Sequence, residues 1–96
     1  MPSIIGNTST SVYLIDYNEG VTLESFTIVN RTAGTVTANL AIRENETDYY
    51  IIPVNTPIYG NQMYSSDLQR QVNANNKLHL VVNAEVDYQF NTGKAK

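Results

Sequence analysis

The single histidine of the chain, His79, is the first residue to consider for chemistry. A histidine acts as a general base or a metal ligand only when other polar side chains lie within its reach. In the alternating run that contains His79, Lys77 and Val81 are its neighbours on the same side, and neither offers such a partner. We therefore predict that His79 is a solvent-exposed strand residue and that the chain is not an enzyme, with no catalytic residues.

Carboxylates alternate with an amide and a hydroxyl over residues 44–48, and oxygen ligands of this kind are those that calcium prefers. The segment lacks the glycine and the spacing to a bidentate glutamate that a calcium loop requires. We predict a solvated turn here, no metal site anywhere and no cofactor.

A strict two-residue alternation over residues 35–43 is the clearest structural signal. Apolar side chains fall on one face and mostly polar ones on the other, which is the period of a half-buried β-strand. A second such run covers residues 25–30, and the short connector at 31–34 predicts that the two runs form a hairpin. Residues 77–82 and 86–90 repeat the pattern, with Asn83 and Ala84 predicted as the loop of a second hairpin.

The rest of the chain adds a strand at residues 12–16 and an apolar strand at 49–54, which is either buried on both faces or leaves the sheet. Over residues 58–72 a helical turn competes with an irregular strand. About seven short strands in all predict an all-β fold, a single antiparallel β-sandwich of the jelly-roll or Ig-like type. The predicted core is the set of inward residues: Val12, Leu14, Phe26, Ile28, Val36, Leu40, Ile42, Ile52, Leu78, Leu80, Val82, Val86, Tyr88 and Phe90.

Size and charge restrict the classes of partner. The 96 residues carry a net charge of −3 and no cysteine, and the Lys and Arg residues are scattered. Such a chain has no basic footprint for nucleic acid or an anionic membrane, and we see no leader peptide and no membrane span. A domain this small, without disulfides, gains stability from self-association, so we expect a homo-oligomer.

We divide the chain into an N-terminal arm at residues 1–11, a sandwich domain at 12–91 and a short tail at 92–96. Ile4 and Ile5 form an apolar pair in an otherwise polar arm, and we predict that they contact a partner. The alternative is that residues 3–7 add an edge strand to their own sandwich.

Outward positions of the strands are polar but uncharged, which lowers the cost of removing them from water against another protein. The alternative is that threonine is simply favoured on a solvated sheet. The predicted partner contacts combine these positions with the apolar pair and two loop tyrosines: Ile4, Ile5, Thr35, Thr37, Asn39, Tyr59 and Tyr64.

One stretch of the chain, residues 26–90, carries a particular order of elements. A strand ends in IVNRTA at 28–33, its partner covers 36–42, IIP at 51–53 follows a polar loop, and NANNKL at 73–78 precedes another strand. In this order the chain resembles small all-β virion proteins of tailed bacteriophages, which often carry a Gly-Asp turn where this chain has Asn75 and Asn76. Asparagine tolerates the left-handed conformation that such a turn needs.

The resemblance implies a non-enzymatic virion structural protein, assembled into particles in the host cytoplasm. The expected role is a capsid decoration or cement protein that contacts the major capsid protein or other virion proteins. Alternatives are a tail, baseplate or head-tail accessory protein. From a different class, the chain would be a carbohydrate- or receptor-binding module that uses Tyr17, Tyr59 and Tyr64 on one concave patch.

Overall fold

The fold is built from antiparallel β-strands alone in the part of the chain that the computed structural model describes, residues 3–14 and 20–94. The strands there are β1 (Ser3–Thr8), β2 (Ser11–Leu14), β3 (Val21–Asn30), β4 (Val36–Glu44), β5 (Thr47–Tyr50), β6 (Thr56–Ile58), β7 (Met63–Val72), β8 (Lys77–Val82) and β9 (Val86–Lys94). The predicted all-β antiparallel class is confirmed.

Two sheets enclose one core and form a sandwich-like fold. Sheet 1 is four-stranded in the order β1-β9-β3-β7, and sheet 2 is five-stranded in the order β2-β8-β4-β5, with β6 also pairing with β4. Apolar residues of both sheets make a single buried cluster, because their strands turn alternate side chains toward the same interior. The largest side chains at its centre are those of Phe26 and Phe90, whose rings lie 6.0 Å apart.

Both predicted hairpins are wrong. β3 lies in sheet 1 and β4 in sheet 2, and β8 and β9 are likewise divided between the sheets. The alternation of apolar residues identified these four strands but not the strands with which they pair. A short connector can lead from one sheet to the other as well as join two hydrogen-bonded strands of one sheet. Among the described strands, consecutive strands share a sheet only from β4 to β6.

The predicted N-terminal arm is instead part of the sandwich. β1 pairs with β9 from Ser3 opposite Asn91 to Thr8 opposite Val86, so the alternative of an edge strand is the one that the structure has. Ile4 is partly buried against the core. The predicted tail is also shorter than expected, since β9 continues to Lys94; residues 95–96 lie outside the described part.

The predicted core is largely correct but differs at strand ends and sheet edges. Val12, Leu14 and Ile42 are only partly buried. Val12 and Leu14 lie on the edge strand β2, and Ile42 stands opposite Tyr49 of the edge strand β5. The predicted core omits five apolar residues that are buried: Leu23, Ala38, Ala41, Ile58 and Val72. Of these, Ala38 lies on the apolar face of the alternating run at 35–43, and Ala41 lies on the opposite face of the same run.

Two ambiguous segments are now defined. The predicted strand at residues 49–54 is wrong, because β5 ends at Tyr50 and both Tyr49 and Tyr50 are about half exposed. The segment at 58–72 contains the strand β7 rather than a helical turn. Of the predicted first strand, 12–16, the last two residues lie outside the described part.

A buried asparagine fixes the corner between β3 and β4. The Asn30 side chain is 1% exposed, and its Nδ2 donates to the carbonyl oxygens of Gly34 (2.7 Å) and Ile58 (2.8 Å). Its Oδ1 accepts hydrogen bonds from the backbone N–H and the hydroxyl of Thr32, both at 2.8 Å. All four bonding positions of the amide are therefore used, which is what a buried polar group requires.

The loop after β6 closes on the same corner. The backbone N–H of Asn30 donates to the Gln62 carbonyl at 2.9 Å, and that of Asn61 donates to the Thr32 carbonyl at 3.0 Å. Gly60 makes this approach possible, because a Cβ atom there would collide with the backbone of Ala33. The corner therefore joins two segments that are distant in sequence, residues 30–34 and 58–62.

We predict that Asn30→Asp lowers the free energy of unfolding by about 2–4 kcal/mol, because a carboxylate cannot donate to two buried carbonyls. The matched control is Asn83→Asp, since Asn83 uses only its Oδ1, which accepts from the Thr37 N–H at 2.8 Å. Denaturant midpoints measure both effects. Equal midpoints for the two variants would contradict the assigned role of Asn30.

The turn between β4 and β5 carries a strained residue. Asn45 and Glu46 have φ angles of 50° and 69°, the left-handed conformation that a two-residue hairpin turn demands at both positions. Glutamate tolerates this conformation poorly, whereas asparagine adopts it readily.

We expect Glu46→Gly to raise the stability by roughly 0.5–1 kcal/mol, because relief of the left-handed strain exceeds the entropy cost of glycine. Asn45→Gly is the control and should give a smaller gain. Chemical unfolding of both variants compares them, and a loss of stability in Glu46→Gly would disagree with this turn geometry.

Candidate functional site

The structure does not bring the predicted contact residues together. Thr37 and Asn39 lie on the outer face of sheet 2, where they alternate with the buried residues of β4. Ile5 lies at the edge of sheet 1 and is 73% exposed, whereas Ile4 points toward the core. The predicted set therefore covers two separate surfaces of the sandwich.

The remaining predicted contacts are also dispersed. Thr35 is exposed in the connector before β4, and Tyr59 is exposed in the loop after β6. Tyr64 packs its ring against Phe26 with the centroids 5.7 Å apart, so part of this ring belongs to the core. Tyr17, which the carbohydrate-binding alternative used, lies outside the described residues.

An open groove of about 480 Å³ on the outer face of sheet 2 contains two of the predicted residues. It lies where β4 begins and β8 ends. The residues that line it are Thr37, Asn39, Asn55, Val81, Val82 and Asn83. None of them carries a charge, and the two valines give the groove an apolar part.

Hydrogen bonds between asparagines shape this groove. The Asn39 side chain accepts from the Asn55 backbone N–H at 2.8 Å and donates to its Oδ1 at 3.2 Å, which fixes the loop before β6 beside β4. The Nδ2 groups of Asn55 and Asn83 make no hydrogen bond to any part of the chain that the structure describes. These two uncharged amide groups are therefore available to donate hydrogen bonds to a ligand or partner in the groove.

Next to the groove, one cross-strand row runs over the same outer face. Tyr13 stands opposite His79, His79 opposite Ala41, and Ala41 opposite Tyr50. The Tyr13 and His79 rings are stacked, with centroids 4.2 Å apart and planes within 9°. Tyr13 and Tyr50 remain half exposed, so the row offers aromatic surface beside the neutral groove.

The prediction of a solvent-exposed His79 without partners is wrong. Its side chain is 11% exposed, and its Nδ1 lies 3.1 Å from Oδ2 of Asp48. The same carboxylate accepts from Arg43 at 3.3 and 3.4 Å. Asp48 is therefore a strand residue that contacts both Arg43 and His79, rather than part of a solvated turn.

The sequence held a signal for this cluster. A two-residue turn at Asn45 and Glu46 pairs Arg43 with Asp48 directly across the hairpin, and this is the observed register. The missing information was the neighbour on the other side of β4. His79 comes from β8, which is distant in sequence and joins β4 only in the folded sheet.

The cluster holds the His79 ring in a fixed position. Asp48 occupies Nδ1 and Tyr13 covers one face of the ring, while Arg43 and Lys77 lie over the Tyr13 ring at 5.7 and 5.9 Å. A carboxylate on Nδ1 orients an imidazole, but base catalysis also needs a reacting group at Nε2. No side chain among residues 3–14 and 20–94 hydrogen-bonds to Nε2.

Three or more metal-binding side chains do not converge anywhere in the described part of the chain. Within the same residues no helix is long and apolar enough to cross a membrane. Comparison of the chain with protein-family models, with curated proteins and with solved structures found no match. The surface geometry is therefore the basis for assigning a function.

We predict that the Tyr13–His79 stack contributes a coupling energy of about 0.5–1.5 kcal/mol in a double-mutant cycle of Tyr13→Ala and His79→Ala. Tyr59→Ala serves as the control partner for Tyr13→Ala, because β6 pairs with β4 on the side away from β8 and β2. Urea unfolding of the four proteins in each cycle gives the coupling. Additive effects in the first cycle would show that the stack does not stabilise the fold.

Proposed function

We propose that this chain is a non-enzymatic structural protein that binds other proteins through the outer face of sheet 2. The observation that carries the proposal is the groove between β4 and β8, which is open and is lined by amides, a hydroxyl and valines without any charge. Neutral polar groups lose less free energy than charges when a partner displaces their water. They also retain donors and acceptors that fix the partner's orientation.

The surroundings of the groove have the composition of a protein interface. Tyrosine is enriched in interface cores, and charged residues are depleted there and more frequent at the rim. Tyr13 and Tyr50 lie along the groove side of the face, and the charged residues Arg43, Asp48 and Lys77 follow one row further away. The side chains on this face thus change from neutral at the groove to charged further away. This arrangement supports binding of a partner protein with the groove near the centre of the interface.

We further propose that the sandwich is a jelly roll. The order β1-β9-β3-β7 in one sheet and β2-β8-β4-β5 in the other, with the chain repeatedly crossing between them, supports this type. An Ig-like sandwich instead divides its strands into sets of four and three with a different order. Jelly rolls are frequent in viral capsid and lectin domains, an association by fold only.

The specific role that we propose is a capsid decoration or cement protein of a bacteriophage particle. It rests on the resemblance of residues 26–90 to small virion proteins, and Asn75 supports the corresponding turn, since its φ of 66° is the left-handed conformation. A protein that binds only the assembled shell shifts the equilibrium toward assembly. The partner is then the major capsid protein, and a tail, baseplate or head-tail position is the alternative within this class.

A second candidate function is the binding of a neutral sugar. The unbonded Nδ2 groups of Asn55 and Asn83 lie in the groove, and the half-exposed Tyr13 and Tyr50 lie in the neighbouring cross-strand row. A sugar site combines hydrogen-bond donors and aromatic rings of this kind. This site differs from the patch of loop tyrosines expected from the sequence. Titration with neutral mono- and oligosaccharides, monitored by chemical-shift changes of the two asparagine side chains, tests it.

The main proposal predicts that the chain copurifies with virus particles at a fixed ratio to the major capsid protein. Val81→Lys places a charge in the groove and should reduce the bound fraction at least about tenfold, because the buried ammonium has no counterion there. Thr37→Lys tests the same face at a second position. Gln69→Lys on β7 is the control, since it adds the same charge to the exposed edge of the other sheet.

Sedimentation of particles in a density gradient, with quantitative mass spectrometry, gives the ratio. Melting curves of the isolated variants verify that they are folded. Absence of the chain from purified particles would exclude a virion role, and equal loss in all three variants would exclude the groove as the contact.

A further inference from the structure

The edge strand β1 has a free side. It pairs with β9 through all six of its residues, and no strand of the described part of the chain lies on its other side. Half of its backbone N–H and C=O groups therefore face outward in the plane of sheet 1. Such a row is a template for pairing with another strand.

Proteins usually protect sheet edges with charges, proline, bulges or very short strands. The other edges of this sandwich have these features. β7 carries Asp67 and Arg70 and pairs with β3 through an irregular register, β5 carries Asp48, and β6 has three residues including Pro57. β2 has only four residues. β1 has none of these protections, because its sequence SIIGNT is longer and contains neither charge nor proline.

Ile5 adds an apolar anchor to this open edge. Its side chain is 73% exposed, the largest exposure among the large apolar residues that the structure describes. Its cross-strand row on the outer face consists of Gln89, Thr27 and Ser65, which are all uncharged. No residue of its own sheet covers Ile5, although its neighbour Ile4 packs on the core.

We propose that β1 pairs antiparallel with β1 of a second copy of this chain, so that the sheets of two molecules become continuous. The inference goes beyond the proposed function, because it concerns the chain alone and uses a different sheet. The outer face of sheet 2 stays free for another partner.

The sequence of β1 suits a two-fold axis that passes beside Ile5. An axis normal to the sheet places residues of the same face opposite each other, so Ile5 meets Ile5 of the second copy on the outer face. In this register Ile4 stands opposite Gly6, and Ser3 opposite Asn7. The large inward side chain of Ile4 thus lies opposite Gly6, which has no side chain. None of the opposed residues is charged, so no like charges are brought together.

The residue opposite Ile4 in this dimer, Gly6, must be a glycine because of contacts within a single molecule. A Cβ atom at this position would collide with the Tyr88 ring, so glycine is required by the sandwich itself. The strand therefore cannot place a second bulky inward residue there. A second copy whose Ile4 faces Gly6 avoids the steric conflict that two large residues would create.

Disulfide trapping tests the register directly. Directly opposed residues of antiparallel strands have Cα atoms about 4.5–5.5 Å apart, within the range that a disulfide spans. The chain contains no cysteine, so Ile5→Cys introduces a single thiol. We expect this variant to form a covalent dimer under mild oxidation, whereas Met63→Cys does not, although Met63 is similarly exposed (64%) on the opposite edge of sheet 1.

Analytical ultracentrifugation measures the association without a covalent bond. The protein should be dimeric, and Ile5→Lys should raise the dissociation constant at least about tenfold, because it opposes two like charges across the new strand pair. Met63→Lys should leave the dissociation constant unchanged. Melting curves of both variants verify that the sandwich is intact.

A monomeric protein at all concentrations, or cross-linking of Ile5→Cys no faster than of Met63→Cys, would overturn the proposal. Dimerisation that Ile5→Lys does not weaken would also overturn it, since the contact would then lie elsewhere. These measurements use the isolated protein, so their failure is distinct from a failure to bind virus particles.

Discussion

The hydrogen bonds of one buried side chain, that of Asn30, determine how the two sheets are joined. β3 ends there, and the chain must cross to the other sheet within five residues before β4 begins. A corner this short leaves backbone groups without strand partners in the interior, where each unpaired group is costly. Asn30 bonds to the connector and to the end of β6, so it satisfies these groups and fixes both segments together.

The surface that we assign to function depends on this corner. Thr37 and Asn39 follow it directly on β4, and the loop before β6 supplies Asn55 to the same groove. The Thr37 N–H also donates to Oδ1 of Asn83, where the chain crosses from β8 in sheet 2 to β9 in sheet 1. The neutral groove therefore lies between two corners of the sandwich, where strand pairing ends and side-chain amides take over the bonding of the backbone.

On the outer face of sheet 2, neutral side chains lie at one end and charged side chains at the other. Around the groove the side chains are amides, valines and one threonine. The aromatic row with Tyr13 and His79 follows, and then the ion pair between Arg43 and Asp48. The Arg43–Asp48 ion pair leaves its charges partly exposed, which lowers its contribution to stability. The position of these charges at one end of the face is consistent with the rim of an interface, whereas sheet 1 offers an uncharged edge for self-association.

The local sequence identified the strands with a clear alternation, β3, β4, β8 and β9. The two-residue period placed Val36, Leu40 and Phe90 inside, since a pleated strand must turn alternate side chains to opposite faces. The same logic gave the all-β class and the neutral outward positions Thr37 and Asn39 at the start of β4. At Asn75 the backbone adopts the left-handed conformation that the expected turn needs and that asparagine tolerates.

Only the tertiary structure decided which strands are neighbours. The two-residue period of apolar side chains is the same whether the next strand pairs with the first or lies in the other sheet. The sequence therefore could not exclude hairpins at Asn30 and Asn83, where the structure has corners between the sheets. For the same reason it missed the partners of His79, which β8 brings beside β4 and β5 from a distant part of the chain. Side-chain contacts between sheet neighbours depend on strand order, and strand order is set by how all the apolar faces are buried at once.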